Sequence, residues 1–218
     1  MYDLNFKVIL EYLPQLLNGL KWTFIISLLS VIGGSILGVA GAMARISRNK
    51  LLNIIAAVYV EWIRNTPLLV QILFLYFGIG VFIHFSAFVA TILSLSIFAG
   101  AYITEIFRAG IQSVHKGQRE AALSLGMTET QCMCLVVLPQ AFKRVLPPLA
   151  GQFISLIKDS SLVSVIAVEE LTYAARNTIT MTFRAFEVYI AVAVFYFLLS
   201  FILSRFVHIL EERLAVSD

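Results

Sequence analysis

The chain has 218 residues, of which 60% are hydrophobic and 13% are charged, and its formal net charge is +3. Soluble globular domains contain about 45–50% apolar and about 25% charged residues, so this composition predicts an integral membrane protein and excludes an ordinary soluble domain. A net charge this small gives no indication of a nucleic-acid partner.

Residues 1–20 are too mixed in polarity to cross a bilayer. They also lack the compact basic region and cleavage site of a signal peptide, so we expect no cleaved leader. The sequence predicts an amphipathic segment on the outer surface.

The segment 21–210 contains five apolar stretches near the roughly 20 residues that a membrane-spanning helix requires. They are approximately Trp22–Ala44, Pro67–Phe85, Ala87–Phe107, Leu149–Val168 and Val188–Phe206. So little chain separates the second from the third that a tight turn near His84 must join them. The prediction is an all-α integral membrane protein with five transmembrane helices and a tail at 211–218.

Small residues recur every fourth position in the first span, at Ser30, Gly34, Gly38 and Ala42. Such a stripe lets a second helix approach closely, and we favour packing within the chain over a subunit contact.

The apolar run Leu51–Arg64 is expected to begin the second helix, which restarts at Asn65-Thr66-Pro67. These three residues offer a side-chain cap followed by a proline at the first helical position.

Most of the 16 lysine and arginine residues follow the first, third and fifth spans. Loops rich in lysine and arginine stay in the cytoplasm. The distribution therefore predicts an external N-terminus, a cytoplasmic C-terminus and a cytoplasmic loop at 112–148.

This loop is polar and rich in helix-favouring residues. Gln118–Leu125 is predicted to be a helix that Gly126 ends, and Thr128 with Gln131 has the spacing of a capping box. Pro139, Pro147 and Pro148 are expected to interrupt the return to the fourth span. Cys132 and Cys134 are expected to be reduced thiols, because no second pair or suitably spaced histidine completes a zinc site.

Seven positions of the loop follow the pattern E-A-A-x3-G-x9-I-x-L-P, with valine in place of isoleucine. They are Glu120, Ala121, Ala122, Gly126, Val136, Leu138 and Pro139. The pattern resembles the EAA motif of ABC importer permeases, and we call residues 112–148 the EAA element. The stretches "VEWIRNTPLLVQILFLYFG" and "ISLIKDSSL" are similar to the polar amino-acid permeases of that superfamily.

The resemblance implies a type I ABC importer permease fold in the bacterial cytoplasmic (inner) membrane, crossed several times by the chain. The EAA element would couple the permease to an ATPase subunit, with Arg119 and Glu120 making charge contacts and Ala121 and Ala122 offering small apolar surface. The remaining coupling residues would be Gly126, Leu138 and Pro139.

Several partners follow from the same resemblance: two ABC ATPase subunits, a second copy or a sister permease, an external binding protein, an amino-acid substrate and membrane lipid. Glutamine-type permeases look most similar, while glutamate, arginine, histidine and cystine remain possible substrates.

The chain contains no G-x4-G-K-[ST] phosphate loop and no arrangement of Ser, His and Asp or of Cys and His suited to catalysis. We therefore expect a pathway subunit that is not an enzyme and binds no cofactor, with ATP and Mg bound by the partner ATPase. The alternative is an ATP-independent secondary transporter or channel, which predicts inverted repeats that the sequence does not display.

The fourth span carries a polar stripe, since Gln152, Ser155 and Asp159 stand at i, i+3 and i+7. Charged side chains within a membrane are costly and mark functional sites. The stripe is a candidate substrate site in which Asp159 attracts an α-ammonium group; alternatively, Asp159 and Lys158 hold the helices together through partners elsewhere. Glu105 with Arg108, and Glu61 with Arg64, have the spacing of helix-surface ion pairs.

Overall fold

The structure, a computed structural model, describes residues 3–215, and within them every regular element is helical. The helices are α1 (Lys7–Glu11), α2 (Leu13–Ile46), α3 (Lys50–Arg64), α4 (Leu68–Leu73), α5 (Gly80–Ile83), α6 (Ala87–Gln112), α7 (Lys116–Ser124), α8 (Glu129–Cys132), α9 (Leu138–Asp159), α10 (Leu171–Thr182) and α11 (Ala185–Ala215). The π-helical segments Phe74–Ile79 and Met133–Val137 join α4 to α5 and α8 to α9, and the 3-10 segment Ser160–Ile166 continues α9.

Four helical stretches among the described residues are long and apolar enough to cross a membrane. They are Leu13–Ile46, Ala87–Gln112, Glu129–Ile166 and Ala185–Ile209. Counting the bent pair α3 and α4–α5 as one span raises the number to five. The predicted all-α membrane fold is confirmed, and the five expected spans correspond to four single stretches and one bent pair.

The N-terminal region differs from the expected single amphipathic segment at 1–20. Its described part forms the short helix α1, and α2 begins at Leu13, well before the predicted Trp22. Leu16 is fully buried with Leu171 and Val188. Tertiary packing therefore extends α2 through residues that are too polar, by sequence alone, to be predicted as part of a membrane-spanning helix. The predicted tail 211–218 is likewise partly helical, as the end of α11, and residues 216–218 lie outside the described part.

The small-residue stripe of α2 is a contact within the chain, as predicted. Gly34 lies so close to α6 that a β-carbon added there would stand 2.7 Å from Ala99 Cβ, and one added at Gly38 would overlap Ile103. Side chains at these positions would push the helices apart, so glycine makes the α2–α6 packing possible. Tyr59 of α3 joins the same pair by donating a hydrogen bond to the Ile97 carbonyl at 2.6 Å.

The Asn65-Thr66-Pro67 prediction is wrong in its details. Pro67 occupies the N-cap of α4, and no side chain caps that helix. Asn65 and Thr66 instead complete α3, where Asn65 donates to the Glu61 carbonyl and Thr66 to that of Trp62. The polar side chains therefore satisfy carbonyls at a helix end, and the chain bends by 106° between α3 and the next helices.

The turn between α5 and α6 is as tight as predicted. His84 adopts a left-handed backbone with φ 55°, and Ser86 caps α6 by accepting a hydrogen bond from the Val89 amide. The third span starts at Ala87 as expected but runs to Gln112, beyond the predicted Phe107.

Contrary to the prediction, the three prolines that follow the turn at Gly126 do not end the helical structure. Pro139 follows directly on the π-helical segment Met133–Val137, where the regular α-helical hydrogen bonding is already interrupted, and Pro147 and Pro148 lie inside α9. Each internal proline removes one hydrogen bond, yet the packing of α9 against α6 and α11 keeps the helix continuous.

The predicted fourth span Leu149–Val168 is not one α-helix. The α-helix ends at Asp159, so Lys158 and Asp159 stand at its C-terminal end and not near its middle. Ser160 and Ser161 each donate a hydroxyl hydrogen bond to the carbonyl three residues earlier, at 2.8 and 2.7 Å. Such back-bonding competes with the α-helical ladder and favours the 3-10 segment that follows.

The buried carboxylate of Glu170 links α2, α10 and α11 in the N-terminal half of α2. Glu170 is fully buried and caps α10 by accepting from the Thr172 and Tyr173 amides at 2.9 and 2.8 Å. It also accepts from the Tyr196 hydroxyl of α11 at 2.8 Å and faces the Thr23 hydroxyl of α2 at 3.5 Å. Because burial disfavours the charged form, the pKa of Glu170 is raised despite these donors.

Candidate functional site

The EAA element folds as a helix, a glycine turn and a second helix, as predicted. His115 begins α7 by accepting the Gly117 amide on its Nδ1 at 3.1 Å, and Gly126 then has a φ of 84°. Residues other than glycine rarely adopt this conformation. The Thr128–Gln131 capping box is present, with the Thr128 amide 2.9 Å from Gln131 Oε1 and the Gln131 amide 3.3 Å from Thr128 Oγ1.

A small apolar core holds the two halves of the element together. Ala122 is 4% exposed, and it packs with Cys132, Val137 and Ala141. The expectation that Ala122 offers surface to a partner is therefore wrong, because it faces inward and supports the turn. Cys134, two residues after the buried Cys132, is exposed.

Five other candidate residues of the EAA element lie on its surface. Glu120, Ala121, Gly126, Leu138 and Pro139 are exposed. Leu125 is 82% exposed at the tip of the turn. Leu125 and these candidate residues are therefore accessible on the surface of the element.

Arg119 is exposed, but its charge is paired within the element, although the sequence suggested a contact with a partner. Its guanidinium lies 2.6 Å from Glu129 Oε2 and 2.8 Å from Glu129 Oε1, which raises the pKa of Arg119. Arg48, from the turn between α2 and α3, approaches the same carboxylate at 3.4 Å. Sequence reasoning missed Glu129 and Arg48; the only available signal for Glu129 was an acidic residue in the first turn of a capped helix.

The second candidate site is the polar face of α9. Gln152, Ser155 and Asp159 share one face and are all partly exposed, whereas Leu156 and Ile157 point into the core. Within residues 3–215, none of the three polar side chains forms a hydrogen bond or an ion pair. The structure therefore gives them no part in holding the helices of this chain together, and it leaves their polar groups available.

The two predicted ion pairs behave differently. Arg108 donates to Glu105 Oε2 through Nε at 2.9 Å, as expected, and Arg45 of α2 approaches Glu105 Oε1 at 3.5 Å. Glu61 and Arg64 are not paired in the described part of the chain. Arg64 lies over the Tyr102 ring, 5.1 Å from its centroid.

A cavity of about 520 Å³ lies between α3, α6 and α9. Arg64, Tyr102, Glu105 and Arg144 are on its wall, close to the ends of these helices. Gln152, Ser155 and Asp159 do not line it. Among the described residues, no group of three or more His, Cys, Asp or Glu side chains is placed to hold a metal ion.

Comparison with known proteins identifies the family. The model of the binding-protein-dependent transport system inner membrane component matches residues 34–216. The chain belongs to this family. It is thus a multi-pass permease of the inner membrane, and this membership favours an importer subunit over an ATP-independent transporter.

Similarity to individual permeases of this family covers almost the whole chain. The glutamine transport system permease protein GlnP of Escherichia coli K12 is 40% identical over 97% of this chain and 98% of its own length. The probable glutamine ABC transporter permease protein GlnM of Bacillus subtilis is 41% identical over 98% of this chain and all of its own.

Solved structures agree on the fold. The structure of an amino acid ABC transporter with histidines is 39% identical, covers 97% of this chain and all of its own, and superposes with a TM-score of 0.93. The MetNI methionine ABC transporter, at 19% identity and a TM-score of 0.75, supports the fold alone. The predicted type I ABC importer permease fold is confirmed.

Proposed function

We propose that this permease forms the translocation pathway of an ATP-driven importer of polar amino acids, with glutamine as the first candidate substrate. The 40% identity to a glutamine permease over nearly the full length of both chains is the observation that carries this assignment. Alternating access between the two sides of the membrane is the proposed mechanism.

The EAA element is the proposed contact with the ATPase. It presents Leu125 at its tip and Glu120 on the exposed surface of α7, while the internal core around Ala122 and the Arg119–Glu129 pair keep the two halves together. A surface that is rigid in itself can transmit a displacement as one body. Two ATPase subunits would bind ATP and Mg, and this chain would bind neither.

Orientation is part of the proposal. The distribution of lysine and arginine favours an external N-terminus and a cytoplasmic EAA element. A binding protein would then deliver substrate on the side of α10, and a second copy or a sister permease would complete the pathway.

The substrate would contact the polar face of α9. Gln152, Ser155 and Asp159 form no hydrogen bond or ion pair within the described chain, so their face would be closed by the second permease. Asp159 would bind the α-ammonium group, and Gln152 would bind the amide or carboxylate of the substrate. Hydrogen bonds to a charged group contribute about 1.5–3 kcal/mol.

The test is reconstitution with the partner ATPase and binding protein in liposomes. Stimulation of ATP hydrolysis is measured with each of the twenty amino acids, and the proposal requires stimulation by at least one polar amino acid. Asp159→Asn should raise the KM for uptake about tenfold or more, as the loss of such a hydrogen bond implies, while the complex still assembles. Lys158→Gln, which removes the neighbouring charge from another face, serves as the control. Equal uptake by Asp159→Asn and wild type would remove Asp159 from the substrate site.

A further inference from the structure

A second cavity lies where the ends of α2 and α6 meet the EAA element. Its volume is about 620 Å³, within the range of sites that bind small molecules. Arg45 and Ser47 come from the end of α2, Gln112 from α6, and Lys116 and Arg119 from α7. Neither the proposed substrate path nor the exposed tip of the EAA element uses this space.

The wall of this cavity is cationic. Arg45, Lys116 and Arg119 line it, and no carboxylate does. Glu105 and Glu129 pair with Arg45 and Arg119 from outside the wall. Lys116 has no ionic partner in the part of the chain that the structure describes, so the cavity keeps an excess of positive charge.

The free hydrogen-bond donors of the wall come from Lys116 and His115. Arg45 supplies charge but no spare donor at Nε, because this atom lies 3.5 Å from Glu105 Oε1 and Nη1 donates to Asn53 Oδ1 at 3.0 Å. His115 accepts the Gly117 amide on Nδ1, so its neutral form carries a proton on Nε2 that is free to donate. The Lys116 ammonium and the His115 N–H, beside two guanidinium groups that are paired from outside the wall, match an anion with several acceptor oxygens, and phosphate is the usual one.

Exposed apolar side chains lie close in the chain to the residues of α2 that line the cavity. Met43 and Ile46 of α2 are 64% and 37% exposed, and Leu51 and Leu52 at the start of α3 are 65% and 47% exposed. These side chains flank the position where two candidate spans end, which is the level of lipid headgroups. A cationic cavity beside lipid-facing side chains suits a ligand with both a charged group and hydrocarbon chains.

We propose that this cavity binds a phosphate group and that the phosphate belongs to an anionic phospholipid of the adjacent leaflet. The lipid would bridge the turn between α2 and α3 to the first turn of α7. Its occupancy would thus affect the position of the EAA element relative to the spans. The identity of the leaflet rests on the proposed orientation, whereas binding itself does not depend on transport.

The experiment uses the permease purified with its ATPase, freed of lipid in a neutral detergent. Phosphatidylglycerol and phosphatidylcholine with identical acyl chains are titrated separately, and bound lipid is counted by native mass spectrometry. We expect one phosphatidylglycerol per copy of this chain, bound more tightly than phosphatidylcholine. Lys116→Gln should weaken phosphatidylglycerol binding about fivefold, the contribution of one lysine near a membrane surface.

Lys50→Gln is the matched control, because Lys50 is an exposed lysine near the same turn but does not line the cavity. Equal binding of the two lipids, or equal weakening by both variants, would overturn the proposal. An unchanged thermal unfolding temperature shows that Lys116→Gln is folded.

Inorganic phosphate distinguishes the source of the ligand. If millimolar phosphate displaces phosphatidylglycerol from the wild type and this displacement needs Lys116, a free anion competes for the site and the assignment to a lipid is overturned. If phosphate has no effect while phosphatidylglycerol binding depends on Lys116, the lipid is supported. A failure of amino-acid uptake in reconstitution would leave both results unchanged.

Discussion

Gly126, at the turn of the EAA element, allows the effect of backbone conformation to be tested alone, because a β-carbon added there would contact no other atom. Gly126 has a φ of 84°, and a β-carbon added there would meet nothing within 4 Å. Gly126→Ala therefore introduces no clash, and its only cost is the left-handed conformation, roughly 1–2 kcal/mol for a residue with a β-carbon. Such a cost lowers the population of the native turn about 5- to 30-fold relative to competing conformations.

We expect Gly126→Ala to weaken ATPase binding by up to that factor, measured by titrating labelled ATPase onto the purified permease. Gly126→Asn should weaken it less, since asparagine tolerates the left-handed region.

Gly151→Ala is the matched control. A β-carbon at Gly151 also meets nothing within 4 Å, but Gly151 lies inside α9, where alanine is favoured over glycine by about 0.5–1 kcal/mol. This variant should bind the ATPase like the wild type and unfold at a slightly higher temperature. If Gly126→Ala and Gly126→Asn both bind like the wild type, or if Gly151→Ala loses as much as Gly126→Ala, the reasoning about the turn is refuted.

Three further predictions concern packing, pH and orientation. Gly38→Ala should lower the free energy of unfolding by roughly 1–3 kcal/mol through overlap with Ile103; a thermal unfolding temperature equal to that of the wild type would argue against close α2–α6 contact. The pKa of Glu170 is raised in the folded state, so between the unfolded and the folded pKa the folded chain binds a proton that the unfolded chain has lost. The free energy of unfolding should therefore fall as the pH rises through this window. Glu170→Gln should remove that slope in unfolding temperatures measured across this window, and an unchanged slope would assign the pH dependence to other groups. Cys134 is exposed and Cys132 is buried. A membrane-impermeant thiol reagent should therefore label Cys134 in inverted vesicles but not in intact cells, with Cys134→Ser as the blank. Labelling in intact cells would reverse the proposed orientation.

Features dictated by local chemistry were predictable from the sequence. The left-handed turn at Gly126, the Thr128–Gln131 capping box and the start of α6 after Ser86 depend on residues close together in the chain. The α2 stripe was predictable as well, because small residues at helical spacing have few other uses in a membrane.

Features decided by tertiary packing were not predictable in the same way. Leu13 starts α2 because α10 and α11 bury its first turns, and α9 runs through Pro147 and Pro148 because its neighbours hold it. The EAA pattern located the element but did not show that Ala122 faces inward or that Arg119 is held by Glu129. The spacing of residues within each helix does not fix how two helices face each other across the turn at Gly126.

The central claim is that this permease moves its substrate only when an ATPase acts on the EAA element. The direct measurement is uptake of labelled glutamine into liposomes that contain the permease, its ATPase and the binding protein, with ATP present or omitted. The account predicts accumulation against a gradient with ATP and only background uptake without it or without the ATPase. Equal accumulation in the absence of ATP, driven by an ion gradient, would contradict the account.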